Sequence, residues 1–371
     1  MSDFSLSGLL CRWYYLNRRD LPWRHTRDPY LIWISEVILQ QTRVDQGLDY
    51  YLRFTARFPD VLTLAEADEA EVLKYWQGLG YYSRARNLLA AARDVAFNRG
   101  GHFPVSLDEV RSLRGVGDYT AAAITSFAYD APHAVVDGNV YRVLSRLLGI
   151  DTPIDTLRGK REFAQAAQLL LDPSHAATHN QAVMELGALV CTPASPDRAA
   201  CPLAGRCVAL AEGRTSELPV KQGKAKVRDR RFHYLLFEYD GRTWLRRRPE
   251  GDIWAGLYEP LLVEGEMTGD SSSSGVSSPS VDSSSSVDSS SSDLSSALPV
   301  NIASLTPFFE KRHVLLHQRI HASFYHVRLS EAPQLPQEYI EVPIAEVERY
   351  PVSRLVHEAL ERIGSGYCYS S

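Results

Sequence analysis

The 371-residue chain has no apolar run long enough to cross a bilayer, and its first residues lack the basic-then-apolar order of a secretory signal. Both absences make a cytosolic protein the expectation. Cysteine is scarce, with five in all. Cys191, Cys201 and Cys207 crowd into one segment, while Cys11 and Cys368 stand far apart. In a reducing compartment, such a local cluster suggests metal more than disulfide. There is no excess of positive charge: 40 Lys and Arg face 45 Asp and Glu, for a net charge of −5. Bulk charge therefore does not point to nucleic acid, and the placement of charges matters more. Hydrophobic content of 44% and charged content of 23% suit an ordinary globular chain, here of two or three domains.

Alternating strand patterns are missing from the start of the chain to about residue 210, where apolar residues recur at three and four. Thr63-Leu-Ala-Glu66 and Ser106-Leu-Asp-Glu109 read as capping boxes that open helices. Residues 1–215 are thus expected to be helical. The next stretch, 216–231, reads as a linker, and Lys221 to Arg231 holds six basic residues and one acid. From Phe232 the texture changes. Phe232–Tyr239, the pair Asp240-Gly241 and Arg242–Arg246 predict a β-hairpin with a two-residue turn. A strand over Ile320–Leu329 and a helix over Ser353–Ile363 make 232–371 an α+β domain. A serine-dominated tract at 269–296 is too poor in apolar residues to offset its ordering entropy and reads as a disordered insertion.

One carboxylate stands out. Glu36 lies in the apolar run Tyr30-Leu-Ile-Trp-Ile-Ser-Glu36-Val-Ile-Leu-Gln-Gln41. A helix apolar all round is buried, and burial raises a carboxyl pKa, as a general acid requires. A glutamate turned to solvent or bonded to a core partner stays open as the other reading. Leu113-Arg-Gly115-Val-Gly117-Asp-Tyr119, between a capped helix and an alanine-rich one, forms a helix-hairpin-helix over about 106–128. Its glycine amides beside a helix N-terminus suit a phosphate oxygen, or simply a tight turn. Asp137, before Gly138-Asn139-Val140, is either an N-cap or a fixed charge facing a cationic transition state. Leu79-Gly-Tyr81-Tyr82-Ser-Arg84-Ala-Arg86 offers tyrosines to stack on bases and arginines to hold phosphates, or core rings with surface cations. Gln40-Gln41-Thr42 ends the Glu36 helix, and its amides either probe bases or cap the helix.

Taken together, Leu21-Pro-Trp-Arg24, Ser35-Glu36-Val-Ile-Leu-Gln-Gln41-Thr42, Gly78-Leu-Gly-Tyr-Tyr82 and Asp137-Gly-Asn139-Val resemble MutY-type adenine DNA glycosylases of the helix-hairpin-helix superfamily. The likeness runs from about Leu21 to Cys207. More loosely, Arg246-Arg-Arg-Pro-Glu-Gly-Asp-Ile-Trp254-Ala-Gly-Leu-Tyr258 resembles that family's Nudix-like domain, without the glutamate-rich Nudix helix. The resemblance implies a mainly α glycosylase region of two helical subdomains and an α+β Nudix-like C-terminal domain. It implies a monomer, cytoplasmic and nucleoid-associated with no membrane partner, acting on double-stranded DNA that holds adenine opposite 8-oxoguanine or guanine. Glu36 would protonate N7 of the flipped adenine, and Asp137 would stabilise the sugar cation. Tyr119 and Asn139 would position Asp137 and the water. Gln41 and Tyr81, with Thr42 and Leu79 beside them, would meet the duplex at the lesion. Arg24 and Gln181 would line the adenine pocket, Gly115 and Gly117 would hold phosphate, and His317 would read the lesion.

Two alternatives compete. An endonuclease III-like glycosylase that also cuts the strand would carry a lysine where this chain has Tyr119, and without an amine no Schiff base forms by that route. A non-catalytic helix-hairpin-helix DNA-binding protein would not need Glu36 and Asp137 together. The chain also departs from the family twice. The resemblance implies a 4Fe–4S cluster on four cysteines, and Cys191, Cys201 and Cys207 fall in register, but Arg198 stands at the remaining position. In His313-Val-Leu-Leu316-His317, Leu316 replaces a lesion-reading serine, so weaker discrimination of 8-oxoguanine is expected.

Overall fold

The computed structural model describes residues 5–223, 227–265, 305–315 and 317–364. The serine tract 269–296, Leu316 and Cys368 lie outside the described residues. Contacts divide the chain into two units, Met1–Leu79 with Ser83–Lys224, and Gly80–Tyr82 with Ala225–Ser371. No helix among the described residues is long and apolar enough to cross a membrane.

The first unit contains α1 (Leu6–Asn17), α2 (Pro29–Leu39), α3 (Val44–Arg57), α4 (Val61–Glu66), α5 (Glu69–Trp76), α6 (Ser83–Arg93), α7 (Leu107–Arg111), α8 (Asp118–Tyr129), α9 (Gly138–Leu148), α10 (Leu157–Leu170), α11 (Ala176–Leu189) and α12 (Val208–Ala211). Local chemistry starts them. The Asp28 carboxylate accepts from Tyr30 N at 2.8 Å, with Pro29 preset for the first helical position. Ser106 and Glu109 form the reciprocal capping box of α7. The Thr63 box is a correction: Asp60, three residues earlier, caps α4 by accepting from Thr63 N at 2.8 Å. A carboxylate at that position displaced the weaker hydroxyl.

Helices α2, α3, α4, α5 and α6 enclose an aromatic core in which Trp33, Phe54, Phe58 and Trp76 are almost wholly buried. Edge-on ring pairs such as Phe54–Trp76, 5.9 Å between centroids, hold it together. A second cluster gathers Leu10, Trp13 and Tyr14 of α1, Val140, Val143, Leu144 and Leu147 of α9, Phe163 of α10 and Val183 and Leu186 of α11. Burying each large side chain contributes about 1.5–3 kcal/mol. The two cores are the two helical lobes, and a cleft between them is lined from both.

The stretch read as a linker is shorter than expected. Its start is tied to the helical unit: Ile154 N donates to Val220 O at 3.0 Å, and the Asp155 carboxylate accepts from Gln222 N and Gly223 N at 2.9 Å each. Its end, Arg228–Arg231, already belongs to a strand. The second unit has β1 (Arg228–Glu238), β2 (Arg242–Arg247), β3 (Tyr258–Glu259), β4 (Leu261–Glu264), β5 (Phe309–Val314), β6 (Gln318–Arg328), β7 (Tyr339–Pro343) and α13 (Arg354–Gly364). The Asp240-Gly241 turn forms with both residues at positive φ, 46° and 67°. The expected hairpin does not continue from it. After the Tyr239–Arg242 bridge, β1 joins the sheet β4-β1-β6-β5 and β2 joins β3-β2-β7. β1 instead runs parallel to β6, Arg228 opposite Gln318 through Glu238 opposite Arg328. The apolar face of Phe232, Tyr234, Ile320, Ala322 and Phe324 packs against Leu355, Val356 and Ala359 of α13. That long-range burial outweighs local pairing across the turn.

His179 in α11 is 3% exposed, and its Nδ1 is 2.8 Å from the Ser7 hydroxyl. Burial brings its pKa down from 6.5 to about 4. The folded state therefore refuses a proton that the unfolded chain accepts. Stability should be complete above about pH 6.5 and decline as pH falls toward 4, by up to about 3 kcal/mol. Thermal melts at pH 7 and pH 5 should show a larger loss for the wild type than for His179→Gln; equal losses would contradict this assignment.

Candidate active site

The cleft between the helical lobes has a volume of about 460 Å³. Glu36, Ser35 and Ile32 reach it from α2, Tyr119 from α8, Asp137 and Asn139 from the start of α9, and Gln181, Met184 and Glu185 from α11. Arg19, Arg24 and Thr42 also line it.

Glu36 is 7% exposed. Its Oε2 accepts a 2.7 Å hydrogen bond from the Tyr119 hydroxyl. Burial raises its pKa from 4.5 to about 7; the Tyr119 bond opposes the rise and the neighbouring Asp137 charge adds to it. Tyr119 is thus tied to Glu36, while Asp137 is held by other groups. As N-cap of α9, Asp137 accepts from Val140 N at 2.7 Å through Oδ1 and from Asn139 Nδ2 at 2.8 Å through Oδ2. Burial pushes its pKa up and these two bonds restrain the rise. Of the two readings of Asp137, the structure shows the N-cap.

Asn139 is in turn oriented by Arg142, whose Nη2 donates to its Oδ1 at 2.8 Å and to Gly187 O at 2.7 Å, while Nε donates to Cys191 O at 2.6 Å. This fixes which end of the amide faces the carboxylate. Gly187 lets α11 approach closely: an added Cβ would lie 2.6 Å from Asn139 Cβ.

Arg24 and Gln181 line the cleft, each engaged with a partner. Arg24 makes a two-pronged bond to Glu185, at 2.8 and 2.7 Å, and Arg19 Nη2 adds a third contact at 2.6 Å. Burial alone would push Glu185 up, but these bonds bring it down to about 2. The Tyr14 hydroxyl donates to Gln181 Oε1. Sequence reasoning missed Glu185, although a lone carboxylate in the apolar run Ala182-Val-Met-Glu185-Leu-Gly-Ala-Leu-Val190 is the signal that singled out Glu36.

Gln40 turns inward, donating to Thr120 Oγ1 at 3.2 Å, and Gln41 is exposed with φ 58°. Arg84 fixes this turn. Its Nη1 donates to the carbonyls of Val37, Ile38 and Gln40 at 2.7, 3.1 and 2.6 Å, and its guanidinium lies 5.2 Å from the Trp76 ring centre. A guanidinium read as a phosphate contact instead closes the C-terminus of α2. Leu79 is buried, and Tyr81 is 45% exposed with φ 48°. Gly115, at φ 80°, makes the hairpin turn, and Gly117 precedes α8, whose first amides have no side-chain cap. Neither glycine lines the cleft. His317 is exposed in the second unit, its carbonyl accepting from Arg228 N at 2.9 Å. In that unit the Arg246–Trp254 motif forms ion pairs: Arg248 meets Asp252 at 2.6 Å and buried Glu259 at 2.5 Å.

Cys191, Cys201 and Cys207 are free thiols, and Arg198 is exposed. Among the described residues, no group of three or more His, Cys, Asp or Glu is arranged to hold a metal ion. Three thiols and a guanidinium do not fit a cluster that takes four thiolates.

Residues 34–168 match the HhH-GPD superfamily of base excision DNA repair proteins, and residues 233–362 match the NUDIX domain. The adenine DNA glycosylase of Buchnera aphidicola subsp. Schizaphis graminum is 31% identical over 259 residues, covering 70% of this chain and 75% of that protein. The chain belongs to the adenine DNA glycosylase family. The Arabidopsis thaliana and Mus musculus adenine DNA glycosylases are 38% and 41% identical, and the matches cover 70% and 59% of this chain. They span less than half of those two longer proteins, 47% and 44%. A thermostable thymine-DNA glycosylase structure superposes with a TM-score of 0.52 at 28% identity, covering 56% of this chain and 95% of that one.

Gly187→Ala should displace Asn139 and, through it, Asp137. A shift of about 1 Å at a reacting group lowers rate on the order of 10²-fold. Single-turnover excision should fall by that order with duplex affinity kept, and the overpacked contact should lower the melting temperature modestly; an unchanged rate would remove Gly187 from the account.

Proposed function

We propose that the chain removes adenine standing opposite 8-oxoguanine or guanine in duplex DNA, by hydrolysing its N-glycosidic bond after the base has left the stack. One observation carries this reading. A carboxyl that keeps its proton to about pH 7 and a carboxylate clamped by an N-cap amide share one cleft. Adenine leaves poorly as an anion, so it needs a proton as the bond breaks. Glu36 gives that proton to N7. The electrons of the C1′–N9 bond pass to the base, and the sugar becomes cationic. Asp137, held by Val140 N and Asn139, faces that cation. Water then adds to C1′, and its proton returns to the Glu36 carboxylate. The Tyr119 hydroxyl keeps the acid oriented throughout.

The base reaches the cleft only by flipping out, which costs a few kcal/mol of stacking and pairing. Gln41 and Tyr81, both exposed in left-handed backbone, suit insertion into the gap left behind. The amides at Gly115, Gly117 and the uncapped start of α8 suit a backbone phosphate. Gln181, whose Oε1 accepts from Tyr14, has its amide nitrogen left to donate to a purine edge, beside Arg24 held by Glu185. Tyr119 offers no amine, so the strand is left uncut. His317 is the side chain assigned to the base opposite.

Single-turnover excision should fall about tenfold per pH unit above pH 7, because Glu36 must be protonated to act. Glu36→Gln should lower the rate by at least about 10²-fold with mispair binding kept. A flat profile, or a competent variant, would take the acid role from Glu36. In a gel assay, alkali-dependent scission is expected at adenine opposite 8-oxoguanine and opposite guanine, and none at thymine glycol. Scission without alkali, or at thymine glycol alone, would favour the lyase alternative.

A further inference from the structure

The segment Cys191–Cys207 poses a problem of donors. Iron–sulfur cubanes take one thiolate per iron. The spacing Cys191-x6-Arg198-x2-Cys201-x5-Cys207 leaves a guanidinium at the remaining position. Arginine stays charged, carries five N–H donors and has no lone pair to give a metal. It is also exposed, as are Pro193, Ala194 and Ser195, and Asp197, Ala199 and Ala200 beside it.

The segment is instead closed by hydrogen bonds of the chain itself. Arg146, 3% exposed in α9, is its hub. Its Nη1 donates to Thr192 O at 2.8 Å, Nη2 to Pro193 O at 2.9 Å and Nε to Leu218 O at 3.1 Å. One buried cation thus ties both flanks of the segment to the helix. Asp197 closes the middle. Its N–H donates to Val190 O at 2.9 Å, and its carboxylate accepts from Ala199 N and Ala200 N at 3.0 and 3.1 Å. The Thr192 hydroxyl donates to Ser195 O at 2.6 Å. Cys191 and Cys201 pack against the apolar cluster that holds Leu203, and the Cys207 thiol donates to Arg146 O at 3.3 Å. Arg146 Nη1 also donates to Cys191 Sγ at 3.5 Å, so the thiols are held by weak polar bonds to Arg146 and by apolar packing.

We propose that this segment folds and serves without iron: Arg146 and Asp197 supply the closure, and Arg198 occupies a former ligand position as a solvated cation. The proposal is independent of which base the cleft excises.

The test compares wild type with Arg198→Cys. Both are purified anaerobically, reconstituted with ferrous iron and sulfide, and assayed for iron, acid-labile sulfide and visible charge-transfer absorption. Wild type should hold well under one iron per chain, with a melting temperature unmoved by chelator. Arg198→Cys should gain roughly four irons and the matching absorption, since a fourth thiolate completes the set. Wild type binding roughly four irons, or melting lower after chelation, would overturn the proposal. Should the variant fail to fold, wild-type iron content and its melt under chelator decide alone. Arg146→Gln should lower the wild-type melting temperature equally with and without chelator; a loss seen only without chelator would return the closing role to metal.

Discussion

The protein is organised around keeping one carboxyl group uncharged near neutrality. Glu36 sits on a largely buried helix, and its raised pKa costs the fold stability that is lost progressively as pH rises from about 4.5 to 7 and stays lost above. Two and a half pH units correspond to about 3 kcal/mol, a large part of what a domain has to spare. The neighbourhood is arranged to preserve that penalty. A nearby cation would lower the pKa and abolish the acid. Arg24 is the cation at hand, and its charge is committed to Glu185. The short ion pair leaves Arg24 only a minor pull on Glu36.

Glu36, Asp137 and Glu185 line one cleft and differ through their partners. Glu36 has a single hydroxyl donor and rises to about 7. Asp137 accepts from a backbone amide and a side-chain amide and is still pushed up by burial, and Glu185 has two guanidinium groups and falls to about 2. Burial acts on all three in the same direction. Donor number and charge separate Glu185 from the other two. In the second unit, two guanidinium groups, those of Arg246 and Arg248, likewise hold buried Glu259, and the Arg246 pair joins β2 to β3.

Rigidity at the cleft comes from groups that satisfy helix ends. Arg84 closes the last carbonyls of α2 and stacks on Trp76, so the turn carrying exposed Gln41 is set by a side chain from another helix. Arg142 does the equivalent at the start of α9, reaching Asn139, Gly187 and Cys191 at once.

Much of this was legible in the sequence. The apolar run around Glu36, the Ser106 capping box, the glycine hairpin and the Asp137 N-cap are local patterns, and local patterns fix local backbone. The order of the motifs also sufficed to place the chain in a family. What the sequence by itself could not determine is partnership. That Tyr119 bonds Glu36, that Glu185 neutralises Arg24, and that Arg84 turns inward are contacts across 83, 161 and 47 positions of chain. The departure of β1 and β2 into different sheets has the same origin, since a turn fixes two residues and burial of a whole sheet face decides the pairing. Short-range propensity selects elements; long-range packing selects which charges meet, because only the folded chain brings them within the few ångströms over which a hydrogen bond acts.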